Sequence, residues 1–81
     1  MTHDTHPEIV KRLRRAEGHL RSVIAMIEAG RACVDLAQQL HAVEAAVTNA
    51  KRELIHDHIE HCLDSAGPSE LKDLKQLTKY L

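Results

Sequence analysis

The densest chemistry in the chain is the run Leu54-Ile55-His56-Asp57-His58-Ile59-Glu60-His61-Cys62. On a helix, His58 and Cys62 are four apart and share a face, so both can address one ion, and His61 can join or replace His58. Two ligands do not complete a site. The other thiol, Cys33, lies 25 residues before His58, about 37 Å away if one helix carries both, so it cannot close the site within its own chain. An antiparallel second copy changes this. Pairing Cys33 with a point between His58 and Cys62 puts the crossing near residue 46 or 47, where Ala42, Ala45, Ala46 and Ala50 let two helix axes approach closely. Taken singly, a helical cysteine is more often a small buried apolar residue and a histidine a surface group. The three together, with a geometry that closes across a dimer, favour ligation. Two thiolates and one imidazole form a soft, low-coordinate donor set suited to Cu(I) or Zn(II) and, with added nitrogen donors, Ni(II). His3 and His6 are candidates for those added donors.

A second constellation is Lys11-Arg12-Leu13-Arg14-Arg15, with Arg21 further along and Lys51 and Arg52 as an extension. Four cations within five helical residues suit phosphate contacts, and twofold-related copies would present several such stripes to a duplex. Eleven Lys and Arg against twelve Asp and Glu give a net charge of -1 with His neutral, which excludes a binder whose whole surface is basic. Glu8 and Glu17 flank the cluster, so any nucleic-acid role must be local. No short recognition helix follows a tight turn, so the usual helix-turn-helix is not visible. There is no Gly-rich phosphate loop, HExxH motif or nucleophile with a bracketed base, and no enzymatic activity is expected.

These groups must be held by helices. Ile9, Leu13, Ala16, Leu20, Val23 and Ile27 form an apolar seam at alternating spacings of four and three, which predicts a first helix. Asp4 or Thr5 is expected to cap it, Pro7 and Glu8 suit its first turn, and Gly30 should end it. A second helix is predicted from about Ala32 to Leu63, with Leu36, Leu40, Val43, Val47, Ala50 and Leu54 along one side. Ser65-Ala66-Gly67-Pro68 breaks it. Ser69 is expected to cap a short third helix whose face is Leu71, Leu74, Leu77 and Leu81. At 81 residues the chain is one all-α domain, with residues 1–7 as a flexible N-terminus. With 1% aromatic residues, its core must come from Leu, Ile, Val and Ala. A second helix of that length cannot bury its stripe against two shorter partners, so another chain must cover it. No apolar run is long enough to span a membrane, and the first ten residues lack a secretory pattern, which predicts a cytoplasmic protein whose thiols stay reduced.

The stretches Arg12-Leu13-Arg14-Arg15-Ala16-Glu17-Gly18-His19-Leu20, Cys33-Val34-Asp35, Gln39-Leu40-His41-Ala42-Val43 and Asp57-His58-x3-Cys62 together resemble the CsoR/RcnR family of bacterial repressors over about residues 8–80. The resemblance implies a three-helix protomer with a long central helix, an antiparallel dimer, and a disc-shaped homotetramer of two dimers. It implies operator binding in the metal-free state and release when the effector binds. The copper-sensing branch matches Cys33 from one chain with His58 and Cys62 from the other. The family's glutamate behind the ligands matches Glu70, and its DNA-contacting basic positions match Arg12 and Arg52. Copper sensors often carry Tyr where this chain has Ala32. Nickel and cobalt sensors add an N-terminal donor, which His3 or His6 would supply. Formaldehyde sensors carry Pro after the initiator Met and lack the second Cys; Thr2 and Cys62 disfavour that branch. Persulfide sensors use the pair equivalent to Cys33 and Cys62.

The expectation that follows is a transcriptional repressor responsive to Cu(I), with Ni(II), Co(II) or Zn(II) as alternative effectors. Its ligands are Cys33, His58 and Cys62, with His3, His6 and His61 as additions and Glu70 behind them. Lys11, Arg12, Arg14, Arg15 and Arg52 bind DNA. A thiol-redox sensor and a helical metal-storage protein without a DNA role are the competing readings.

Overall fold

The computed structural model of the chain describes residues 6–64 and 67–81, with the side chains of all of these except 62–64 and 68–70. Three helices follow one another: α1 (Pro7–Glu28), α2 (Cys33–Asp64) and α3 (Pro68–Leu77), closed by a single 3-10 turn at Thr78–Tyr80. The start of α1 differs from expectation. Asp4 and Thr5 lie outside the described residues, and the capping position belongs to His6, whose side chain makes no cap hydrogen bond. His6 is in the left-handed region at φ 43°, a conformation histidine adopts more readily than most residues, and its carbonyl accepts the Val10 N–H at 3.0 Å. Pro7, expected in the first turn, is the first residue of α1.

The α1 terminus follows from Gly30. Gly30, at φ 76°, donates to the Ile27 carbonyl, and Arg31 donates to Met26, both at 3.0 Å. This pair of bonds satisfies two carbonyls that the helix end would otherwise leave open, and it reverses the chain. The short connection sends α2 back antiparallel to α1. At the third helix the cap falls on Gly67, in extended conformation, with Pro68 in the first turn. Ser69, expected as the cap, is inside the helix, because the fixed φ of Pro68 is already helical and starts α3 two residues earlier.

Each predicted apolar seam splits in two. On α1, Ile9, Ala16 and Val23 are buried, whereas Leu13, Leu20 and Ile27 remain 42%, 42% and 52% exposed. On α2, Val43 and Ala50 are buried together with Ile55, while Leu40, Val47 and Leu54 are 42–46% exposed. Residues seven apart lie nearly in line on a helix, so each helix turns one apolar line toward its neighbour and a second one sideways. Of the four alanines expected at a crossing with another chain, Ala50 is buried and Ala46 half-buried within this one. These two small residues are used inside the hairpin, where they let α1 approach α2, and Ala42 and Ala45 alone of the four are exposed.

The two sideways lines lie on the same flank of the hairpin. In an antiparallel pair, positions whose numbers add to a constant stand abreast. Leu13 and Leu54, Leu20 and Val47, and Ile27 and Leu40 share one such constant, close to that of the buried pair Val23 and Val43. The opposite flank carries polar links, Arg12 to Glu53 and His19 to Gln39. The molecule measures 53 × 23 × 13 Å, so its thinnest dimension is about the width of one helix with side chains. A single layer has no interior to take up the second lines. Its radius of gyration, 16.8 Å, likewise exceeds the roughly 12 Å of a globule of this length.

The two glycines of this hairpin predict opposite responses. A Cβ on either meets no atom within 4 Å. Gly30→Ala should lose about 1–2 kcal/mol, because the left-handed conformation is then strained, and Gly18→Ala in mid-helix should gain roughly 0.5–1 kcal/mol. Thermal unfolding reads both, at about 4–8 °C per kcal/mol for a domain of this size.

Candidate metal centre and nucleic-acid interface

The C-terminal part of α2 meets the start of α1 and the face of α3. His6, on the α1 cap, points its Nδ1 at Asp57 Oδ2 across 3.5 Å, with its side chain only 18% exposed. His6 and His58 then line one cavity of about 330 Å³, together with Leu54, Asp73, Leu77 and Tyr80. Among the described candidate ligands, His6 and His58 are brought into a common space by one chain. His61 is half-buried one turn further on, whereas His56 is exposed and contacts Glu60 at 3.4 Å on the helix surface.

Cys33 is at the other end of α2. It is the first residue of that helix, exposed and not in a disulfide, and the unbroken helix between it and His58 is about 37 Å long. A straight α-helix cannot fold back, so the chain alone does not bring thiol and imidazole together. His3 and the side chains of Cys62 and Glu70 lie outside the described residues; on the backbone, Cys62 falls in the last turn of α2 and Glu70 in the first turn of α3. Among the described residues there is no cluster of three or more His, Cys, Asp or Glu able to hold a metal.

The basic residues are distributed around α1 rather than along one stripe, because five consecutive helical residues cover more than a full turn. Arg12 Nη1 donates to Glu53 Oε1 at 2.7 Å, both side chains about half-exposed. Arg12, Arg15, Ala16 and His19 line a shallow groove of about 370 Å³ with Ala46 and Asn49 of the facing helix. Lys11 and Arg14 are exposed elsewhere on α1. Arg52 is exposed on α2, where it lines a separate hollow with Glu53, His56 and Ile59. Arg21 and Arg31 make longer ion pairs within one turn, to Glu17 at 3.6 Å and Asp35 at 3.9 Å, of the exposed kind that contributes little.

Three functional contacts were not foreseen from the residues: Glu53 on Arg12, Asp57 on His6, and Gln39 on His19. The last is short, with His19 Nε2 donating to Gln39 Oε1 at 2.6 Å in a partly buried position. A signal existed for the first two. Once the turn at Gly30 defines an antiparallel hairpin, positions 6 and 57, and 12 and 53, add to nearly the same number and carry complementary groups.

A family model for metal-sensitive transcriptional repressors matches residues 5–81. The copper-sensing transcriptional repressor CsoR of Bacillus subtilis is 42% identical over 81 residues, which cover 89% of this chain and 80% of that protein. CsoR of Mycobacterium ulcerans is 36% identical over 76 residues, covering 88% of this chain and 65% of that protein. The chain thus spans just under two thirds of the length of that mycobacterial relative. Among solved structures, the nickel-responsive transcriptional regulator InrS superposes with a TM-score of 0.82 at 30% identity, covering all of this chain and 98% of that one.

The His19 to Gln39 bond should act as a clasp between α1 and α2. His19→Ala and Gln39→Ala are each expected to cost about 1 kcal/mol in denaturant unfolding. The double variant should lose hardly more than either alone, since the two share one interaction.

Proposed function

The chain belongs to the family of metal-sensitive transcriptional repressors, and on that premise we propose that it represses transcription in the cytoplasm by binding operator DNA when metal-free and releasing it when Cu(I) binds between two subunits. The proposed ligands are Cys33 of one protomer with His58 and Cys62 of its partner. Glu70, early in α3, holds the outer nitrogen of His58 and links the site to that helix. Lys11, Arg12, Arg14, Arg15 and Arg52 meet the duplex.

One observation carries this reading. The exposed row Leu40, Val47 and Leu54 is symmetric about Val47, so a second α2 laid antiparallel on it sets Leu40 against Leu54 and Val47 against its own copy. That same twofold axis sets Cys33 opposite residue 61, between His58 and Cys62. The apolar row and the donor spacing were read independently, and they share one axis. Leu13, Leu20 and Ile27 of α1 widen the row, and completing the burial of one such half-exposed side chain contributes about 1 kcal/mol. Two hairpins packed this way form a four-helix dimer, which can pair again into a homotetramer.

The switch is linkage. Metal ligation ties the start of one α2 to the end of another and so favours one arrangement of the two hairpins. The spacing of the basic residues depends on that arrangement. A coupling of about 1–3 kcal/mol weakens DNA binding by roughly 5–150-fold.

The Cu(I) assignment rests on the soft donor set and on the copper-sensing function that the names of the curated relatives state. A Ni(II) or Co(II) reading is favoured by one specific contact, the sharing of a cavity by His6 and His58, which offers a second imidazole, and by the likeness to a nickel-responsive regulator. His6→Ala separates them: Ni(II) affinity should fall and Cu(I) affinity should hold.

The central test is anaerobic Cu(I) titration of the protein bound to a duplex from its own promoter region. Stoichiometric metal should release the DNA and protect Cys33 from alkylation, and His58→Ala should abolish both effects. A response that survives His58→Ala points instead to thiol-redox sensing, and DNA binding indifferent to salt and to Arg12→Ala points to metal storage. Val47→Glu, which puts a charge on the twofold axis, should leave a monomer in sedimentation at concentrations where the native protein associates.

A further inference from the structure

Among the cations assigned to DNA, Arg12 differs in its surroundings. Its guanidinium is already held by a carboxylate, Nη1 to Glu53 Oε1 at 2.7 Å. The groove around it is acidic: Glu8, Glu53 and Asp57 line the same hollow of about 430 Å³ as Arg12, with His6 and His56. Arg15, one turn on, lines only the groove that Arg12 shares with it, whose other polar residues are His19 and Asn49, without a carboxylate. The Arg12 pair joins two helices, unlike the longer Arg21 and Arg31 pairs within a turn. It also lies on the flank opposite the apolar row, where a second copy would not cover it.

We propose that Glu53 is an internal competitor for the operator phosphate: it holds Arg12 Nη1 in the unbound protein and so weakens the contact that Arg12 can make with DNA. This rests on the repressor reading above and adds to it a residue that sets affinity by opposing a contact rather than making one. The chemistry is direct. A guanidinium fork accepts a carboxylate or a phosphate through the same N–H groups, so one Nη1 donor cannot fully serve both. Both side chains are about half-exposed, which leaves the pair open to exchange. When the phosphate takes Arg12, Glu53 is left as a bare carboxylate beside a polyanion, next to Glu8 and Asp57. That carboxylate then gathers a cation from solution, which cancels the counterion that Arg12 releases from the duplex. Arg12 thus acts as a contact whose contribution is partly withheld, and the site binds DNA weakly enough for the effector to dislodge it.

The test compares native protein, Glu53→Gln, Arg12→Ala and the double variant by fluorescence anisotropy. The probes are labelled duplexes from the protein's own upstream region and of scrambled sequence, across a series of salt concentrations starting low. Glutamine keeps the shape and removes the charge. Glu53→Gln is expected to tighten binding about two- to fivefold for each Arg12 that meets the duplex, the worth of a half-exposed ion pair. Its slope of log affinity against log salt should steepen by about 0.9 per such contact. In the Arg12→Ala background the same substitution should change neither quantity. A Glu53→Gln that binds no more tightly, or more weakly, overturns the proposal and makes Glu53 a group that merely orients Arg12. A gain that persists without Arg12 also overturns it, because the effect is then general repulsion. Failure of the repressor reading looks different: the native protein would show no preference for its own upstream duplex and no salt-steep binding. Circular dichroism of each variant establishes that it is folded.

Discussion

The structure depends on a shortage of layers. Two antiparallel helices, with a short third against one end, make a slab about one helix thick, and a slab has two faces but no interior. An apolar seam of alternating three and four spacing is wide enough to need neighbours on two sides. Within one chain it finds a neighbour on one. Ile9, Ala16 and Val23 of α1 and Val43, Ala50 and Ile55 of α2 are buried, and the remaining half of each seam stays about half-exposed. In the proposed assembly, that half is the surface a second slab would cover.

The second constraint is stiffness. From Cys33 to Asp64 the main chain is one helix of 32 residues, without glycine or proline to bend it. Such a helix works as a ruler: it keeps the thiol at one end and the imidazole at the other at a separation no side chain can bridge. A donor set divided in this way can be completed only by another molecule. Metal binding, if it uses these residues, is then inseparable from how two helices lie on each other. Under the proposed switch, this is how an ion changes the placement of basic groups that it never touches.

Electrostatics is arranged on the same hairpin. The chain is nearly neutral overall, yet its polar flank gathers Arg12, Arg15 and His19 on α1 opposite Glu53 and Gln39 on α2. Links across this flank hold the helices in register while the apolar flank is left for association. One pair of helices thus carries an exposed apolar row on one side and an ionic surface on the other.

Much was legible from the residues alone. The three helices follow from spacing, and their ends follow from residues whose backbone limits are local: Gly30 reaches the left-handed region without strain, and Pro68 is already helical. The same reading raised the expectation of a second chain, since a 32-residue stripe is longer than the helices beside it, and that assembly belongs to the proposed function. Tertiary structure alone decided which line of each seam turns inward. Positions three and four apart occupy the same arc of a helix, and the choice between Leu20 and Val23, or between Val47 and Ala50, depends on how near the neighbouring backbone comes. That approach drew Ala46 and Ala50 into the hairpin. The partners of charged and polar groups were hidden for a related reason. Glu53 and Arg12 are far apart in sequence, and only the register of an antiparallel pair, set by packing along its whole length, brings a carboxylate to a guanidinium.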